Sequence, residues 1–239
     1  MLPGGNEYSY RHRVAEHMRN IFAFLKGDED RTGMGAQQRR RMVERHRISL
    51  NQYGYSPDAL FWSSRGIQKI RFRALADIGI GVGDSLLDVG CGFGDLNSWL
   101  SGAGLPVDYT GIDLSPDILA KGAEMNPGLK LLTGDLFDFD WSEQSFDWVV
   151  LSGTLNWNLN DDGEYARRVI QRMFELCRCG VAFNMLDLHS NDVKGMSDLI
   201  AYDVQEMLSF CLEIVPDCSC RSDYLANDFT IYMRRASNG

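Results

Sequence analysis

The chain has 239 residues, 44% of them hydrophobic, which is enough to bury a full core in one α/β domain with an appended segment. No apolar run approaches the ~20 residues that span a bilayer, and the start Met1-Leu2-Pro3-Gly4-Gly5 lacks the basic-then-apolar order of a secretory leader. A net charge of −9 disfavours nucleic-acid and membrane-surface partners, so a cytoplasmic protein is the expectation; the sequence leaves oligomeric state open.

The charge is unevenly spread. Residues 1–73 hold 14 Lys and Arg against 7 Asp and Glu, while the remainder carries −16. This divides the chain into an N-terminal helical segment, 1–52, and a larger domain, 53–239. Val14, Met18, Ile21, Phe22 and Leu25 recur at helical spacing and predict an amphipathic helix over 11–26. Gly27 and the stretch to Gly35 break it, and Gln37 to Ile48 predicts a second, Arg-rich helix. The pair is either a mobile lid or a solvated helical pair on an acidic core.

Ser56-Pro57 starts the next predicted helix. From Asp58 onward, Ile67, Ile70, Ala74, Leu75 and Ile78 give its apolar stripe, with Arg65, Gln68, Arg71 and Arg73 on the other faces. Strands are expected at 85–89, 107–113, 129–133, 148–151 and 180–186, and two late ones near 214–221 and 229–234. Helices are expected at 96–101, from Ser115-Pro116 to about Met125, at 164–177 and at 202–211. Strand–helix alternation of this kind gives a seven-stranded, mostly parallel, Rossmann-like sheet with helices on both faces and ligands at the strand C-termini. The six cysteines include two C-x-C pairs, not the usual zinc spacing, so no metal is expected.

The chemistry concentrates at Leu86-Leu87-Asp88-Val89-Gly90-Cys91-Gly92-Phe93-Gly94-Asp95. An apolar run ends in an acid, and three glycines follow at alternate positions. Glycine admits the backbone angles of a sharp strand-to-helix turn and leaves room for a ligand. A dinucleotide loop needs G-x-G-x-x-G, and here the sixth position is Asp95. Asp113 follows about 20 residues later at a strand end, where a carboxylate can take both hydroxyls of a ribose.

The order Asp88-x-Gly90-x-Gly92-x-Gly94, Gly111-Ile112-Asp113, Gly134-Asp135 and Phe146-Asp147 resembles the class I S-adenosylmethionine (SAM) dependent methyltransferases, over roughly Ser56 to Arg234. The resemblance implies SAM as cofactor, with Asp88, Gly90, Gly92, Asp113, Leu114, Asp135, Leu136, Ser152 and Arg65 as its contacts. In it, Asp135 takes the adenine amino group and Leu136 packs on the ring. Members that modify base or amide nitrogens often carry Asn/Asp-Pro-Pro-Tyr after the fourth strand. Ser152-Gly153-Thr154-Leu155 stands here instead, and no Pro-Cys pair occurs, so the resemblance points to a small-molecule acceptor. Candidate catalytic residues are His189, after the fifth strand, with Asn156 and Tyr202. A second chemistry stays open: SAM attacked by its own amino group, giving azetidine-2-carboxylate and methylthioadenosine.

Overall fold

A computed structural model describes residues 33–191 and 197–236. The predicted helix over 11–26 lies outside these residues. Gly33 to Gly239 clusters as one compact unit. It opens with α1 (Ala36–Tyr53), so the Arg-rich segment expected from Gln37 is helical and belongs to this unit.

The helix expected from Asp58 to Ile78 is broken. Pro57–Leu60 makes one short 3-10 turn, and Phe61 then adopts a left-handed backbone (φ 61°). A new helix, α2 (Arg65–Ala76), starts only after Ser64, whose hydroxyl accepts the Ile67 N–H at 3.1 Å. The expected apolar stripe holds at Ala74, Leu75 and Ile78, which are all buried, and fails at Ile70. Ile70 is 38% exposed, whereas Gln68 and Arg71 are buried. Phe72 and Leu75 supply the face that packs on the sheet.

Seven strands then form one sheet in the order β3-β2-β1-β4-β5-β7-β6. They are β1 (Ser85–Val89), β2 (Asp108–Asp113), β3 (Lys130–Thr133), β4 (Phe146–Ser152), β5 (Cys177–Leu186), β6 (Cys218–Arg221) and β7 (Asp228–Arg234). The first five run parallel, and β7 pairs antiparallel with both β5 and β6. Parallel strands buried on both faces need apolar side chains at successive positions. Leu86 and Leu87, or Val149 and Val150, meet that need by facing opposite ways.

Helices cover both faces. Val169, Ile170 and Met173 of α5 (Glu164–Leu176), with Met207 and Cys211 of α6 (Val204–Ile214), cover one. On the other lie α2, α3 (Asp95–Gly102) and α4 (Pro116–Met125) through Phe72, Leu75, Leu96, Leu100 and Leu119. α6 begins two residues later than expected because Asp203 caps it, accepting the Gln205 and Glu206 N–H groups. No described helix is long and apolar enough to cross a membrane. The parallel register brings Val89, Asp113 and Ser152 to the same edge of the sheet, and the site is built on that rim.

Candidate active site

The rim begins where β1 stops. Gly90, Gly92 and Gly94 all take left-handed φ values, 70°, 56° and 78°, before α3 starts at Asp95. The Gly90 and Cys91 N–H groups both bond to the Ile112 carbonyl, at 2.8 and 2.9 Å, and lash the loop to β2. A Cβ on Gly90 would stand 2.0 Å from Thr154 Oγ1, and one on Gly92 2.6 Å from Leu60. Conformation and close approach therefore both require glycine here.

Two acids flank the loop. Asp88 is buried and accepts the Tyr109 O–H at 2.6 Å. Burial pushes its carboxyl up to about 7, against the pull of that hydrogen bond. Asp113 ends β2 with one oxygen on the Gly92 N–H (3.0 Å) and the other on the Ser115 N–H (2.9 Å). A carboxylate oxygen accepts about two hydrogen bonds, so each keeps one position free on the cavity side.

The cavity above the rim has a volume of about 640 Å³, within the range of small-ligand sites. Asp88, Gly90, Gly92, Asp113, Ser152 and Asn156 line it from below. Its roof comes from α1, α2 and the loop between them. Phe61 meets Trp157 edge-on at 5.0 Å, and the Arg45 guanidinium lies 4.3 Å from the Trp157 ring while pairing with Asp198 at 3.0 Å. Arg71 carries Trp62 at 4.8 Å and forms a buried ion pair with Asp228. His46 also lines the cavity; burial holds its imidazole below the usual range, while nearby Asp113 pulls the other way.

This arrangement fits SAM. Asp113 has two held oxygens of the kind that would take the hydroxyls of a ribose, and the glycine loop leaves backbone without side chains beside it. Acid groups and aromatic faces suit a sulfonium and an ammonium. When bound, SAM supplies an activated methyl group.

The remaining expected contacts stand elsewhere. Asp135 is buried, but its carboxylate is already engaged by the Met34 N–H (2.7 Å), the Tyr165 O–H (3.1 Å) and the Phe137 N–H (3.3 Å). Arg39 stands 3.4 Å away and pairs with Asp138. The first turn of α1 thus covers the strand-end acid that the resemblance assigns to adenine. Leu136 is packed in the core. Neither it nor Leu114 lines the cavity, and Arg65 stacks over Tyr55 at 5.3 Å instead.

Among the expected catalytic residues, only Asn156 lines the cavity. His189 has a largely exposed ring 2.8 Å from Asp203, beyond the end of β5. Tyr202 is buried and donates to the Leu155 carbonyl at 2.9 Å, so its hydroxyl is already used. The histidine of the cavity is His46, and the buried cation is Arg71. Periodicity had placed Arg71 on an outer face. No local pattern marks it, because its partner Asp228 lies 157 residues later in the chain.

Comparison with known proteins agrees with this geometry. Residues 86–180 match a family described as a methyltransferase domain. A Mycobacterium tuberculosis protein named as a candidate methyltransferase, Rv1506c, is 30% identical over 158 residues, covering 64% of this chain and 94% of that one. Demethylmenaquinone methyltransferase of Staphylococcus aureus is 38% identical over 85 residues, covering 34% of this chain and 35% of its own length. The crystal structure of a SAM dependent methyltransferase from Archaeoglobus fulgidus superposes with a TM-score of 0.57 at 14% identity, over 72% of this chain and 95% of that one, a likeness of fold. A relative matched across nearly its whole length settles the family: the chain is a SAM-dependent transferase and belongs to the class I SAM-dependent methyltransferase superfamily.

Proposed function

We propose that the chain transfers the methyl group of SAM to a small-molecule acceptor. The observation that carries this reading is the continuity of one cavity, from the Gly90–Gly92 loop and Asp113 to the aromatic wall of Phe61, Trp62 and Trp157. The first part suits the cofactor, and the second offers flat apolar faces to an acceptor. One relative's name gives demethylmenaquinone as its acceptor, which supports the size class rather than the compound. Methyl transfer from a sulfonium asks mainly for alignment. Holding the acceptor atom at about 3 to 3.5 Å from the carbon supplies much of the acceleration.

In this reading Asp88, Gly90, Gly92, Asp113 and Ser152 hold the cofactor, and residues 33–52 of the N-terminal segment act as a cap. Two contacts support the cap: Met34 and Arg39 over Asp135 and Asp138, and His46 of α1 in the cavity wall. A protein beginning at Gln52 should then bind S-adenosylhomocysteine (SAH) more weakly than the full chain, and equal binding would sink the cap. The reaction is tested by incubating the full chain with SAM and panels of small oxygen, nitrogen and carbon acceptors. SAH formed only in the presence of a small acceptor is the expected result. Methylthioadenosine released from SAM alone, or turnover only on tRNA or DNA, would overturn the reading.

A further inference from the structure

Gly153 follows β4 directly and sits in the left-handed region, at φ 69°. A Cβ placed there would lie 3.2 Å from Arg71 Nη1, 3.6 Å from Asn156 Nδ2 and 3.6 Å from Trp62 Cη2. All four residues line the cavity. Arg71 Nη1, Asn156 Nδ2 and the edge of the Trp62 indole therefore converge on the bare face of Gly153, within one cavity. We propose that these donors form a subsite on the cavity side of Gly153 for an anionic oxygen of the acceptor: a carboxylate, phenolate or enolate held by Arg71 and Asn156. The proposal rests on the methyl-transfer reading above and adds the chemical class of the acceptor.

The donors are fixed in place. Asn156 is 5% exposed, and its Oδ1 accepts the Leu186 N–H at 3.0 Å. Its amide cannot flip without losing that bond, so Nδ2 is the atom turned to Gly153. The Asn156 main chain is anchored as well, its carbonyl taking the Ile200 N–H at 2.8 Å.

Arg71 is held from behind. One guanidinium nitrogen pairs with Asp228, whose other oxygen accepts the Tyr224 O–H. Trp62 covers the guanidinium face, and Nε is buried with no hydrogen-bond partner. Arginine offers five donors in a rigid fork, so Asp228 orients the group and leaves donors for a second oxygen. The edge of an aromatic ring is its positive part, so the Trp62 edge suits an anion as well. Ser152 and Thr154 flank the subsite, and Thr154 is the neighbour that crowds Gly90. An oxygen bound over Gly153 is thus one residue away from the cofactor loop.

The test uses the full chain saturated with SAH. Benzoate is titrated against its neutral isostere benzamide, with the fluorescence of the cavity tryptophans as the signal. Benzoate should bind at least about tenfold more tightly, since a neutral amide leaves these donors imperfectly matched. Asn156→Asp keeps the oxygen that Leu186 needs and puts negative charge at the subsite. It should weaken benzoate about tenfold or more, while benzamide and SAH are weakened far less. Arg71→Lys, which retains the charge but loses the fork, should show a smaller loss of the same selectivity. Equal binding of benzoate and benzamide would overturn the proposal. So would an Asn156→Asp protein that loses SAH as strongly as benzoate, because the anion would then be the cofactor's own carboxylate. Selective benzoate binding by a wild-type chain that fails to bind SAH would uphold the subsite and sink the cofactor reading.

Discussion

The sheet rim and the helical roof over it contribute to the same cavity, and they are specified differently. The rim carries the acids Asp88 and Asp113; the roof carries the cations Arg45 and Arg71. Rim residues are positioned by strand register. Asp88 sits opposite Gly111, and Asp113 opposite Thr133. Roof residues are positioned by what they meet across the fold: Arg71 by Asp228, and Arg45 by Asp198 and Trp157. A residue set by register keeps its backbone place when its side chain is changed, so its removal shows in binding as well as in stability. A residue set by a buried long-range partner shows first in stability.

The largest expected effect tests the roof. Arg71→Met leaves Asp228 buried without its cation, and breaking such a pair costs about 3 to 5 kcal/mol. Urea unfolding would read this. The sign with pH follows from Asp228, whose carboxyl burial raises to about 6 despite Arg71. Removing Arg71 raises it further, so the loss should be smaller at pH 5 than at pH 8. Arg71→Met with Asp228→Asn should regain much of it; a double variant as unstable as the single one would show that the pair does not secure the roof.

The next effect separates two acids. Asp113→Ala should weaken SAM by about 1.5 to 3 kcal/mol, the range for hydrogen bonds to a charged group, and should also lower stability, because the Gly92 and Ser115 N–H groups lose their acceptor. Calorimetry measures the first and thermal melting the second. Asp135→Ala should lower stability alone, because its carboxylate serves the Met34 N–H and the Tyr165 O–H. If Asp135→Ala weakens SAM as much as Asp113→Ala does, then adenine displaces Met34 on binding and the first turn of α1 moves.

A pH profile tests Asp88. Its folded-state pKa of about 7 lies above the ordinary carboxylate value. Between about pH 4 and pH 7 the unfolded chain has released this proton and the folded chain still holds it, so stability falls as pH rises through that window. Asp88→Asn should flatten the fall, and an unchanged profile would mean that other groups cause it. The smallest effect belongs to the surface of the roof. Arg39→Ala removes a partly exposed pair with Asp138, worth about 0.2 to 1 kcal/mol, and raised salt should reduce the difference.

The sequence by itself determined the rim. Apolar runs bounded by glycines and acids fix parallel strands, and strand ends converge in any sheet of this kind, so spacing brought Asp88, Gly90, Gly92 and Asp113 together and the family resemblance added Ser152. Asn156 came with them because it follows β4 closely. Tertiary structure alone decided the roof. Helical periodicity turned Ile70 inward and Arg71 outward, and the fold reversed both, because a charge is buried when a distant partner waits for it. It also closed Asp135 under Met34 and kept Tyr202 for the Leu155 carbonyl. His46 was brought to the cavity and His189 left at the surface beside Asp203. Local pattern reports which face a backbone offers, and only the packed chain decides which distant donor or acid meets it.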